Sequence, residues 1–168
     1  MRPLNFRFFM KRLCPFLFCV FLILCSLIPF HLLPYYPYAV SWIFIPIFYF
    51  AIYNPKYLNA WSVFILGLIL ESLIQSPAGV ISFCCVLMFF LANLLRKYLL
   101  ELTFWPLWGV FAAVLGTILL VECILVSLLV RYSISFKPAF VEFLILVLMY
   151  PLLMRFCAHL DRKIREST

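Results

Sequence analysis

The stretch from residue 104 to residue 130 reads FWPLWGVFAAVLGTILLVECILVSLLV and carries one charged side chain, that of Glu122. A helix of this length measures about 40 Å at 1.5 Å per residue, whereas the hydrocarbon core of a bilayer is about 30 Å thick. Because the stretch is apolar on nearly every side, it predicts a helix that crosses a membrane and either tilts or protrudes.

Five further apolar runs occupy most of the remaining chain. They cover residues 13–33, 38–53, 58–75, 80–95 and 138–158. Asn54-Pro55 and Ser76-Pro77 end the second and third runs, since proline starts a helix readily but cannot continue one. The chain is 68% hydrophobic and 11% charged, which excludes a water-soluble globular domain. The sequence therefore predicts one all-α membrane domain over residues 1–168, a bundle of six transmembrane helices.

Basic residues precede the first run, as they do in a signal peptide. The run is longer than a usual signal core, and no A-x-A cleavage site follows it. We therefore expect an uncleaved first helix, bent at Pro29.

Lysine and arginine predict the orientation of the six helices. With six spans, the outer segments hold only Arg131 and Lys137, and the cytoplasmic segments hold eleven basic residues. The eleven are Arg2, Arg7, Lys11, Arg12, Lys56, Arg96, Lys97, Arg155, Arg162, Lys163 and Arg165. Cytoplasmic loops carry such an excess of positive charge, so both termini are predicted to be cytoplasmic. The net charge of +7 is then explained by topology and lipid contact rather than by nucleic-acid binding.

The third run contains the clearest functional candidate, Glu71, because a carboxyl group inside a membrane is costly. Ala60, Gly67, Glu71 and Gln75 share one helical face through spacings of seven and four residues. This small and polar face is predicted to point toward another helix. Glu71 is interpreted either as a site for a ligand, proton or partner, or as an interhelical hydrogen bond that stabilises the bundle, and we favour the hydrogen bond.

Two other carboxyl groups lie in apolar runs. Glu122 is in the fifth run, toward its outer end, and both a structural and a functional role are open for it as a buried polar residue. Glu142 follows Pro138 by one helical turn and is predicted to form an interfacial salt bridge with Arg131 or Lys137.

Small residues spaced by four mark a packing surface on the fifth run. They are Gly109-x-x-x-Ala113 and Ala112-x-x-x-Gly116. Such spacing lets helix backbones approach closely, either within the bundle or with a partner. In the sixth run, the step from Tyr150 to Pro151 predicts a kink.

Catalysis and cofactor binding have little support in the sequence. There is no Gly-rich phosphate loop and no Ser/His/Asp set, and the seven cysteines show neither CxxC nor a zinc spacing. His31 and His159 are interpreted as interfacial residues. No metal, cofactor or enzymatic activity is predicted.

Several short motifs together resemble the MreD family of bacterial rod shape-determining membrane proteins, over roughly Tyr38 to Arg165. The family features are a basic N-terminus, Tyr53-Asn-Pro55, Gly67-x-x-x-Glu71, Pro77-x-Gly79, a tryptophan-containing start of the fifth run, and Tyr150-Pro151-Leu-Leu before a basic tail. MreD-like proteins more often carry aspartate at the position of Glu71.

The resemblance implies a non-enzymatic scaffold of the cell-elongation complex, which helps to organise peptidoglycan synthesis. The implied partner is a bitopic MreC-like protein, and through it MreB filaments, the RodA glycosyltransferase and a penicillin-binding transpeptidase. The implied fold is similar to the substrate-binding subunits of vitamin (ECF-type) transporters.

Two other functions remain open at this point. A substrate-binding subunit of a vitamin-type transporter would have an outer pocket lined by Glu71, Gln75, Glu122 or His31. Such subunits usually dock through alanines four apart on the first helix, and residues 13–33 contain no alanine. A small membrane enzyme would need acidic and basic residues clustered at one interface, and here the acidic residues are scattered along the chain.

Overall fold

The computed structural model describes residues 16–24, 26, 41–55, 58–74, 77, 79–101, 103–130 and 136–166. Within these ranges every regular element is a helix, so the predicted all-α class is confirmed. The helices are α1 (residues 16–24), α2 (Phe44–Tyr53), α3 (Ala60–Ile74), α4 (Val80–Leu99), α5 (Phe104–Val130) and α6 (Phe136–Glu166).

Among the described residues, three helices are long and apolar enough to cross a membrane. The apolar stretches are Val80–Leu99, Trp105–Leu129 and Ala139–His159, which lie in α4, α5 and α6. The apolar helices α2 and α3 have 10 and 15 residues, which corresponds to about 15 and 23 Å of helix. The protein is therefore a helical membrane protein in which long and short helices pack together.

Several helix bounds differ from the sequence prediction. Helix α4 continues to Leu99 and α6 to Glu166, past the expected ends at residues 95 and 158, because no glycine or proline stops either helix there. Pro151 lies inside α6. Helix α2 begins at Phe44 rather than near residue 38. The expected bend at Pro29 and the ends of the first run lie outside the described residues.

Helix α2 lies at the centre of the bundle. All of its residues from Phe44 to Ile52 are buried, and it packs against both α4 and α6. Helix α4 also packs against α3 and α5, and α5 packs against α6. An aromatic cluster joins three of the helices: Phe111 stacks on Tyr150 with ring centroids 4.2 Å apart, and Phe48 meets both rings edge-on. The core is thus assembled around α2, a short helix that packs against both α4 and α6.

Polar side chains from two other helices bind the ends of α2. Glu142 of α6 accepts a hydrogen bond from the Ser41 backbone N–H at 2.9 Å, just before α2 begins. Arg96 of α4 donates its Nε–H to the Ile52 carbonyl at 2.8 Å, in the last turn of α2. A carboxylate near a helix N-terminus and a cation near its C-terminus both complement the helix dipole. These contacts fix α2 along its length.

Candidate functional site

The site begins with a close approach of two helix backbones. A Cβ atom added at Gly67 would lie 2.6 Å from the Cα of Ser82, which is too close for two carbon atoms. Only glycine therefore fits at this point of α3. The contact places the next turn of α3, with Glu71, directly beside the beginning of α4.

Glu71 accepts four hydrogen bonds from the beginning of α4. Its Oε1 accepts the backbone N–H groups of Ile81 at 2.6 Å and Ser82 at 3.3 Å. Its Oε2 accepts the backbone N–H of Gly79 and the hydroxyl of Ser82, each at 2.9 Å. Only 4% of the Glu71 surface is exposed. These four residues form what we call the Glu71 site.

The Glu71 site serves as the N-terminal cap of α4. The first N–H groups of a helix have no partner within the helix, and the cap residue Gly79 has no side chain to offer. Glu71 of the preceding helix satisfies these donors, and its charge complements the helix dipole. Gly79 has a φ of +96°, a left-handed conformation that glycine adopts without steric cost. The Pro77-x-Gly79 turn thus directs three N–H groups toward one carboxyl group.

A carboxylate offers about four acceptor sites, so the four donors occupy the acceptor capacity of Glu71. The geometry is that of an interhelical hydrogen-bond network rather than of a group open to a ligand. Ala60, predicted on the same inward face, is exposed at the first residue of α3, and Gln75 lies outside the described residues. In the described ranges no group of three or more His, Cys, Asp or Glu side chains is arranged to hold a metal ion.

The other two membrane carboxyl groups lie near one another. Glu122 interacts electrostatically with Glu142 and with Glu71, although the three residues belong to three helices. One oxygen of Glu122, Oε2, is buried without a hydrogen-bond partner among the described residues. Glu142 accepts the Ser41 N–H, and its predicted partners Arg131 and Lys137 have side chains outside the described part. The fold therefore brings together acidic residues that are scattered in the sequence.

The small residues of α5 divide between two environments. Gly109 and Ala113 are exposed, and no described atom lies within 4 Å of a Cβ added at Gly109. Ala112 and Gly116 are half-buried, and a Cβ at Gly116 would contact the Phe143 ring of α6 at 3.5 Å. One part of the predicted packing surface therefore borders α6, and the other part faces away from the bundle.

An apolar groove of about 270 Å³ lies between α5 and α6 beside these residues. It is lined by Gly116, Leu119, Leu120, Cys123, Ala139, Phe140 and Phe143. Gly116 and Ala139 leave room that larger side chains would fill. The groove opens on the same side of α5 as the exposed Gly109 and Ala113, by their spacing along the helix.

Sequence reasoning missed the donors of the Glu71 site, Ser82 and the N–H groups of Gly79 and Ile81. A signal was present: a carboxyl group one turn before the end of a helix, followed by a Pro-x-Gly turn and a second helix. Such a hairpin returns the new N-terminus to the level of the carboxyl group. The contacts of Arg96 and Trp108 had no comparable local signal, because their acceptors are backbone carbonyls 44 and 39 residues away.

Comparison with known proteins identifies a family for this chain. The family model described as rod shape-determining protein MreD matches residues 6–160, nearly the whole chain. The comparisons with curated proteins and with solved structures each find no match.

Proposed function

Because the chain belongs to the MreD family of rod shape-determining membrane proteins, we propose that it is a non-enzymatic scaffold of the complex that elongates bacterial cells. The family match over residues 6–160 carries this proposal. In this proposal, all six helices lie in the inner membrane and both termini are in the cytoplasm. The excess of basic residues in the inner segments supports this orientation. The protein helps to organise peptidoglycan synthesis by holding other proteins together.

The partner that we propose is a bitopic MreC-like protein with one transmembrane helix. Through it the scaffold joins MreB filaments, RodA and a penicillin-binding transpeptidase. Lipid tails are as apolar as leucine, so helices associate in a membrane through close packing and hydrogen bonds rather than through burial from water. A partner helix therefore needs a surface whose side chains are small enough for backbones to approach.

The side of α5 that carries Gly109 and Ala113, and that borders α6 at Gly116, offers such a surface. Six residues follow one another at alternating spacings of four and three, and five of them are small: Gly109, Ala113, Gly116, Leu120, Cys123 and Ser127. This is the spacing of helices that cross with a left-handed twist. From Gly109 to Ser127 the α5 face, as we call it, covers about 27 Å, nearly the thickness of the hydrocarbon core. The groove beside Gly116 and Leu120 continues it.

Glu71 has a different part in this proposal. Its carboxyl group is bound to α4 and is not available at the surface, so it supports the fold and not the partner contact. Substitution of Glu71 would reduce partner binding only by reducing the amount of folded protein. The α5 face can be altered without that complication, because Gly109 and Ala113 have open space around them.

The test is co-purification of an MreC-like partner with Gly109→Leu and Ala113→Leu. Each variant adds bulk outside the bundle, so the protein level should stay normal while partner recovery falls about tenfold, the equivalent of about 1.4 kcal/mol. Ala60→Leu is the matched control, an exposed alanine on α3. Partner recovery equal to that of the control would contradict the α5 contact. Loss of rod shape in cells that depend on the variants would link the contact to the proposed function.

The alternative function, a substrate-binding subunit of a vitamin-type transporter, is not favoured by the family match. A similarity of the six-helix arrangement to ECF-type subunits remains a proposal. Native mass spectrometry of the purified protein tests the alternative directly, since such a subunit would retain a small molecule at one-to-one stoichiometry.

A further inference from the structure

Pro151 removes one hydrogen bond from the middle of α6. Proline has no N–H, so the carbonyl four residues earlier, that of Val147, has no donor in its own helix. The indole Nε1–H of Trp108 on α5 donates to this carbonyl oxygen at 3.0 Å. The donor that the proline removes is thus supplied by a neighbouring helix.

The surroundings of this hydrogen bond are apolar and closely packed. Tyr150, next to Pro151, is fully buried and stacks on Phe111, one turn after Trp108 on α5. Phe48 of α2 meets the same rings. Trp108 and Val147 are half-buried, and lipid offers no hydrogen-bond donor, so an unpaired carbonyl at this place is costly. The indole is therefore the partner that keeps this carbonyl satisfied.

Beyond the proline, residues 152–166 form what we call the α6 arm. The arm contacts α1, where the Phe156 and Phe18 rings stack with centroids 5.5 Å apart. Cys157 of the arm and Cys19 of α1 are both fully buried. Arg155 and Arg162 of the arm are exposed. The direction of α6 after Pro151 decides whether the arm reaches α1.

We propose that Trp108 is a positioning residue for the α6 arm: its hydrogen bond to the Val147 carbonyl fixes the direction of α6 after Pro151 and so keeps the arm packed on α1. A helix bend at proline varies with the partner that the freed carbonyl finds. With the indole in place, one direction is selected. This role concerns the geometry of α6 and does not depend on the scaffold function.

The test measures how fast N-ethylmaleimide modifies Cys157 in membranes, with each cysteine quantified by mass spectrometry. Cys84, equally buried but on α4, serves as the internal reference. Trp108→Phe keeps an aromatic ring and removes the donor, so local opening of the arm should raise the rate at Cys157 about tenfold. The rate at Cys84 should stay unchanged. Trp61→Phe, the same exchange at an exposed position of α3, should alter neither rate.

A second substitution separates positioning from general packing. Pro151→Ala returns an N–H to position 151, so the Val147 carbonyl no longer needs the indole. In the Pro151→Ala background, Trp108→Phe should therefore change the Cys157 rate by less than about twofold. Benzothienylalanine at position 108 replaces the indole N–H with sulfur and keeps the ring shape. It should reproduce the effect of Trp108→Phe even if that variant folds poorly.

Three results would overturn the proposal. They are an unchanged Cys157 rate in both position-108 variants, an equal rise at Cys84 and Cys157, and an undiminished effect of Trp108→Phe when alanine occupies position 151. The first would mean that the arm does not depend on the hydrogen bond. The second would mean general loosening, and the third would mean that the indole acts only by filling space.

Discussion

Gly67 and Ser82 bring α3 and α4 into backbone contact, since a Cβ at Gly67 would lie 2.6 Å from the Cα of Ser82. This contact sets the level at which Glu71 meets the N-terminus of α4. The Gly67-x-x-x-Glu71 motif is therefore a pair with one structural task. The glycine permits the approach, and the carboxyl group binds the donors that the approach presents.

Gly67→Ala should destabilise the protein. Overpacking against a backbone atom costs about 1–3 kcal/mol, which exceeds the gain of about 1 kcal/mol that alanine brings to a helix. A lower midpoint of thermal unfolding in detergent is the expected measurement. Gly109→Ala is the matched control, because a Cβ there meets open space and the variant should unfold at the same temperature or higher. A Gly67→Ala protein as stable as this control would show that the helices can separate without cost.

Glu71→Gln should destabilise the protein although it keeps the length of the side chain. An amide accepts through one oxygen only, and its NH₂ group would face backbone N–H donors of α4. Leaving a buried N–H unpaired costs about 1–3 kcal/mol, and the favourable charge at the helix N-terminus is lost as well. The amount of folded protein in membranes and its unfolding midpoint should both fall.

The control for Glu71 is Glu101→Gln, which changes an exposed carboxyl group after α4. Glu71→Asp should lie between the wild type and Glu71→Gln, since aspartate keeps the charge but reaches one methylene less far. Equal stability of Glu71→Gln and Glu101→Gln would contradict the capping role of Glu71.

Arg96→Gln should loosen the C-terminal end of α2. The substitution removes the Nε–H that binds the Ile52 carbonyl, a charge-assisted hydrogen bond worth about 1.5–3 kcal/mol. Lys97→Gln removes the same charge from the neighbouring, exposed position and should have little effect on stability. Hydrogen exchange of the α2 amides, followed by mass spectrometry, should accelerate in the first variant only. Acceleration in both would point to the charge itself rather than to the hydrogen bond.

The fold class and the long helices could be predicted from the sequence. A long apolar run such as residues 104–130 satisfies its backbone hydrogen bonds in lipid by forming a helix. The packing of α2 could not. Its residues are apolar on every side, so no periodicity indicates which face meets α4 or α6. Helices α4 and α6 carry no glycine or proline at the expected ends, so they continue past residues 95 and 158.

The site was predictable in part. Gly67 and Glu71 were identified from spacing, because a small residue and a carboxyl group on one face of a membrane helix point inward. Their hydrogen-bond partners could not be identified from the sequence. Three of the four donors to Glu71 are backbone N–H groups, which nearly every residue carries. The distant contacts of Trp108 and Arg96 likewise end on carbonyl groups. The sequence shows which side chains need a hydrogen-bond partner, whereas the three-dimensional fold decides which backbone group becomes that partner.

The two side-chain hydrogen bonds at the ends of α2 have a consequence for biogenesis. A ribosome delivers α2 to the membrane early, but Arg96 emerges only with α4 and Glu142 only with α6. A nascent chain that stops after α5 would leave the Ser41 N–H without its carboxylate. Helix α2 therefore gains its last hydrogen bond only when α6 is inserted. Insertion of the C-terminal segment completes the packing around α2.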